Sequence, residues 1–151
     1  MDKVSRPEPK SCFARFIARD LVHPWPSFPP MNSHYAAPPP DFFNNIDGAR
    51  ANFAFYFVTR TGMFGEPPHR HRNDEYLMFF SSDPHDMKDL GATIEIGFGE
   101  EWEKYTFSTS MLVKFPRGVM HCPIHVRKLE RPFFLGHFWP MGEKSHIIPA
   151  E

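Results

Sequence analysis

Several things are scarce in this 151-residue sequence, and each scarcity closes a route. Cysteine occurs twice, as Cys12 and Cys122, too few for a disulfide scaffold, and such usage suits a reducing cytoplasm. Net charge is nearly absent: 17 Lys and Arg stand against 18 Asp and Glu, giving −1 at pH 7. No broad basic field is available to hold a phosphate backbone, so nucleic acid drops out as a partner. No apolar run approaches the roughly 18 residues that a membrane-spanning helix needs. The opening MDKVSRPEPK also lacks the apolar stretch of a signal peptide. The expectation is a cytoplasmic domain with neither membrane nor nucleic acid as partner.

What is abundant is phenylalanine and proline. Seventeen Phe, against three Trp and four Tyr, imply an aromatic interior with few hydroxyls to satisfy. Seventeen Pro and nine Gly, set between short apolar runs, favour many turns and short strands over long helices. The fold class expected is all-β. Strand-like segments fall at 51–61, 75–82, 92–99, 103–116, 124–130 and 131–140, with DPHDMKDLG (83–91) as a turn-forming insert between two of them. Close spacing of this kind implies a sandwich or barrel.

Ahead of these lies a different stretch. CFARFIARDLV (12–22) suits either a strand or one helical stretch. From His23 to Pro40 seven prolines favour extended backbone, while Trp25, Phe28, Met31 and Tyr35 are costly to leave in water. The organisation expected is a Pro-rich arm over 1–50, packed on the barrel or on a partner subunit, a barrel over 51–142, and a C-terminal tail over 143–151.

Two short motifs carry chemistry. In PHRHRNDEY (68–76), His69 and His71 occupy positions i and i+2, which on a strand share one face. Arg72, Asn73 and Asp74 can form a tight turn that returns Glu75 to that face. Two imidazoles and a carboxylate on neighbouring backbone form a grouping that holds a divalent first-row metal with positions left open. Taken alone, the stretch is read more readily as a solvated basic turn, since short motifs match by accident. The second motif, FPRGVMHCP (115–123), sets His121 three residues after Gly118, in a Pro-x-Gly turn whose glycine supplies unusual backbone angles.

Together, His69-x-His71-x3-Glu75 and Pro116-x-Gly118-x2-His121 resemble the two motifs of the cupin superfamily, over roughly residues 51–140. The resemblance implies a cupin-type double-stranded β-helix, or jelly-roll barrel, with one divalent transition metal held by His69, His71, Glu75 and His121. Met63, Ser82 and Ser110 stand where that family usually has glycines, and His125 where an asparagine is common, so turns depart from the pattern and ligands do not. Three imidazoles and a carboxylate accept Fe, Mn, Ni, Zn or Cu.

Neighbouring residues divide between structural and chemical roles. Strand alternation sends Cys122 away from His121, as a buried thiol. His125 shares the parity of His121, which would set it beside the ligands to orient one or move protons; a plain strand histidine is an equal alternative. His137 lies in the Phe-rich last strand and is expected to be a satisfied core histidine, with cavity lining as the other option. On the Glu75 strand, Leu77 and Phe79 share the ligand's face and predict apolar walls. The resemblance implies a small organic substrate, a homodimer, and metal-dependent chemistry of dioxygenase, lyase or isomerase type. A non-catalytic cupin that binds a small ligand or metal for sensing or storage is the other reading.

Overall fold

The computed structural model describes residues 23–24, 34–35, 52–65, 67–140 and 147–149. Most of the 1–50 arm and of the 143–151 tail, and the whole of 12–22, lie outside these residues. The strands are β1 (His23–Pro24), β2 (His34–Tyr35), β3 (Asn52–Val58), β4 (Gly62–Phe64), β5 (His69–His71) and β6 (Glu75–Ser81). They continue with β7 (Asp89–Phe98), β8 (Glu103–Thr109), β9 (Met111–Phe115), β10 (His121–Leu129), β11 (Phe133–Trp139) and β12 (Ile147–Pro149). No helix occurs among the described residues, and the paired strands are all antiparallel.

Apart from the small β1–β2 pair, two sheets form. One has the order β12-β5-β10-β7-β8, with β4 also paired to β10; the other has the order β3-β11-β6-β9. Period-two alternation gives each sheet an apolar inner face. From β6 come Leu77 and Phe79, from β7 Leu90, Ile94 and Ile96, from β10 Ile124 and Val126, and from β11 Phe133 and Leu135. These side chains meet as one core, the arrangement of a jelly-roll barrel.

The chain differs from the sequence expectation where it changes sheets. The run 103–116, expected as one strand, is broken at Ser110 and passes from the six-stranded to the four-stranded sheet. Ser110 accounts for the break. Its backbone N–H donates to Lys88 O (2.8 Å), its hydroxyl donates to Met87 O (2.6 Å), and the same oxygen accepts from Ser81 N (3.0 Å). In the 83–91 insert, Asp83 and Asp86 accept backbone N–H groups two and three residues on, as turn-forming aspartates do. Part of the expected tail is a strand: β12 pairs with β5 through Ile147↔His71 and Pro149↔His69.

The outer face of the four-stranded sheet departs from the usual polar exterior. Register aligns Phe57, Phe134 and Phe80 in one cross-strand row, and Phe55, Gly136, Met78 and Leu112 in the next. A third row holds Phe138, Tyr76 and Lys114. Phe55, Phe80, Phe134 and Leu112 are exposed, between 38% and 63%. Gly136 lets its neighbours close over it: a Cβ there would stand 3.0 Å from Met78 Cε and 3.2 Å from Phe55 Cε1.

Phe79 is fully buried, its ring edge-on to Phe107 at 5.0 Å and tilted against Phe133 at 6.2 Å. Phe79→Ala is expected to cost about 3–5 kcal/mol, the usual loss when a buried aromatic leaves a cavity. Chemical denaturation of the purified variant measures it, and a loss below about 1 kcal/mol would show a core that refills the space.

Candidate metal centre

The two sheets deliver their polar groups to one end of the core. β5 projects His69 and His71 inward, with the intervening Arg70 turned out toward Glu100. β10 starts at His121, whose Cα partner across the ladder is His69. Glu75 opens β6 on the opposite sheet, in phase with Leu77 and Phe79 as predicted. All four are buried, between 1% and 4% exposed.

The turns that aim these strands are tied together. Gly118 takes φ +80° and its N–H donates to His71 O at 2.8 Å, pinning the second motif's turn to β5. Asp74 turns away from the cluster. Its Oδ1 accepts from Arg117 N (2.9 Å) and its Oδ2 meets Lys114 Nζ (2.7 Å), so it links the two motifs without being a ligand.

The donor atoms converge. His69 Nε2 lies 3.0 Å from His71 Nε2, which lies 2.7 Å from Glu75 Oε2; His121 Nε2 lies 3.0 Å from the same oxygen. One ligand atom from each of the four residues fits within a span of 4.8 Å. A first-row ion with metal–donor bonds of about 2.1 Å holds adjacent donors about 3 Å apart, so the spacing fits such an ion.

Hydrogen bonding on the far side of two rings sets their tautomers. His69 Nδ1 donates to Pro67 O (2.6 Å) and His121 Nδ1 donates to Val119 O (2.9 Å). A carbonyl can only accept, so each neutral ring carries its proton on Nδ1 and turns a bare Nε2 lone pair to the centre. Burial, reinforced by the neighbouring His121 and His71, holds the His69 pKa below the usual histidine value despite its bond to Pro67. Burial would by itself raise the Glu75 pKa. The neighbouring imidazoles of His137, His121 and His71 outweigh it and keep the carboxyl well below its usual range. A cation among them would offset lone pairs and a carboxylate facing one another in a dry interior. The buried quartet His69, His71, Glu75 and His121 can therefore hold one divalent metal, with two of its imidazoles already in the ligating form.

Aromatic side chains wall the site. Phe115 stacks on His121 with centroids 4.2 Å apart and planes 18° apart, and Trp139 presents an edge contact to His71 at 6.1 Å.

Two histidines sit elsewhere than the sequence reading expects. The β10 register slips between His121 and Ile124, where Cys122 adopts φ +63°. One residue is thereby added to the alternation, so Ile124 and Val126 enter the core and His125 faces outward, opposite Glu95 and Met63. The structure places it not beside the ligands but in a shallow outer groove with Trp102 and Arg127. Cys122 is buried, as expected, and stands outside the quartet. His137, expected as a core histidine, instead reaches Glu75, with Nε2 2.6 Å from Oε1. Its period-two phase with Phe133 and Leu135 on β11 was the available signal.

Sequence comparison gives no significant match to any family model or curated protein. Comparison of folds does. The polyketide cyclase RemF from Streptomyces resistomycificus superposes with TM-score 0.50 at 15% identity, over 79% of this chain and 73% of that one. An oxalate oxidase solved with the substrate analogue glycolate gives TM-score 0.60 at 13% identity, over 95% of this chain and 67% of that one. The fold is that of a cupin. Oxalate decarboxylase from B. subtilis gives 0.52 at 11% identity, over 80% of this chain but 29% of its own length. At these identities the likeness establishes the cupin barrel, while the metal quartet rests on this chain's own geometry.

Replacing His71 by alanine removes the donor lying between His69 and Glu75. Protein purified without chelators is expected to lose most of its metal on this change, as read by elemental analysis. Undiminished metal content would refute the ligand assignment.

Proposed function

We propose that this cupin binds one divalent transition metal through His69, His71, Glu75 and His121 and acts on a small organic molecule that offers oxygen donors. Convergence of two preset Nε2 lone pairs with the third imidazole and one buried carboxylate supports the reading most directly. With four protein donors, an octahedral ion would keep about two positions for other molecules, which separates a catalytic site from a closed structural one. One carboxylate leaves a divalent ion about one positive charge in excess, favouring a carboxylate or enolate ligand.

The metal would supply Lewis acidity or an oxygen-binding centre. The protein's own residues do the rest. His69 and His121 keep their protons on the carbonyls of Pro67 and Val119, so neither moves a proton at Nε2. Phe115 covers His121, and Leu77 and Phe79 continue the Glu75 face as apolar wall, excluding bulk water. Names of similar folds, an oxidase and a decarboxylase of oxalate, are consistent with small acids as substrates and with either oxygen-dependent or oxygen-independent chemistry.

We also propose a homodimer, formed through the outer face of the four-stranded sheet. Its three rows are apolar save for the Tyr76 hydroxyl and Lys114, which is already paired with Asp74, so no unpaired charge in these rows selects a charged partner. Two copies related by a two-fold axis would cover it with one self-complementary patch. The cytoplasm, with thiols kept reduced, remains the proposed location.

The metal reading is tested by loading the protein with Fe(II) and following oxygen uptake on adding small diketones, phenols or thiols, then assaying substrate loss anaerobically with Mn(II), Ni(II) or Zn(II). Turnover in either arm supports an enzyme; binding without turnover makes the protein a metal or ligand binder. For the dimer, Phe134→Glu is expected to shift the size in solution from two copies to one. A wild-type protein that runs as a monomer would exclude it.

A further inference from the structure

The carboxylate of Glu75 is divided between two sets of neighbours. Oε2 faces the imidazoles of His71 and His121, at 2.7 and 3.0 Å. Oε1 faces the other way, toward His137 Nε2 at 2.6 Å. The pair lies within ion-pair distance, although Nε2 completes no aligned hydrogen bond, so it is the closeness of the imidazole that marks it as the neighbour of Oε1. His137 belongs to β11 and lies opposite Leu77, on the same sheet and the same face as Glu75. Its ring is backed by Trp139, with centroids 3.5 Å apart, and Trp139 in turn meets His71 edge-on.

We propose that His137 is a positioning residue for the metal: it holds Oε1 so that Glu75 offers the metal Oε2 alone. This rests on the metal-binding reading above and extends it to a residue outside the ligand quartet. His137 is the partner that the described residues provide for Oε1, and losing it leaves a buried carboxylate oxygen unmatched. A carboxylate released at one oxygen can swing and present both, changing its denticity and taking up a position otherwise open to substrate. His137 thereby also guards the site's openness. Supporting contacts of this kind are commonly worth about 10–100-fold in metal affinity.

The experiment measures Co(II) and Zn(II) affinity by chelator competition, with the visible spectrum of the Co(II) protein as a second readout. His137→Phe keeps a flat ring against Trp139 and removes the donor. It should weaken binding about 10–100-fold and alter the Co(II) spectrum. His137→Gln, whose amide N–H can reach Oε1, should restore both to near wild type, which loss of packing alone would not predict. Should the phenylalanine variant not fold, His137→Asn, polar but too short to reach, takes its place with the same expected loss. Wild-type affinity and spectrum in the Phe or Asn variant would overturn the assignment, as would a Gln variant no better than Phe. His71→Ala separates the two readings: it must lose metal whatever His137 does. A wild-type protein that takes up neither ion overturns both readings together.

Discussion

Glu75 is the constraint around which the rest is arranged. A carboxylate only 3% exposed, at the end of an apolar core, must be met by positive charge or by proton donors. Two imidazoles, His71 and His121, meet it from the facing sheet and a third, His137, from its own. The imidazoles of the facing sheet bring lone pairs as well as protons, and the carbonyls of Pro67 and Val119 decide which of the two faces inward for His69 and His121. Charge balance at one carboxylate and tautomer choice at two rings together turn a polar defect in a Phe-rich core into a site that can hold a metal.

Much of this was legible in residue order. His69, His71 and Glu75 read correctly as neighbours because a strand repeats every two residues, and the structure keeps that period through β5 and β6. Gly118 announced its turn, since its φ of +80° suits a glycine. The barrel followed from short aromatic strands cut by Pro and Gly. What stayed hidden was whatever interrupts a period. Cys122 adds a residue to β10 and turns His125 outward; Pro123 beside it marks an irregular strand but not which way the alternation shifts. Ser110 breaks a strand by gathering three hydrogen bonds from two distant segments, which only the folded chain brings together.

His137 was hidden for another reason. Its phase on β11 was readable, but its partner lies 62 positions earlier and reaches it only through the pairing of β11 with β6. Ligand motifs are local and survive as spacing. A supporting contact between neighbouring strands far apart in the chain leaves no spacing to read. The apolar outer face of the same sheet is similar: Phe57, Phe134 and Phe80 become a row only when three strands are set in register.

The donors' origin has one more consequence. Glu75 stands on the four-stranded sheet and all three histidines on the six-stranded one. The gap between the carboxylate and the imidazoles is thus a gap between two layers, with Phe79, Phe115 and Phe133 packed in the core behind it. Donor chemistry of this kind ranks first-row ions by a common order that protein after protein shares. Layer separation is particular to this chain. The core acts as a calliper, its bulk holding the carboxylate jaw at a set reach from the imidazole jaw.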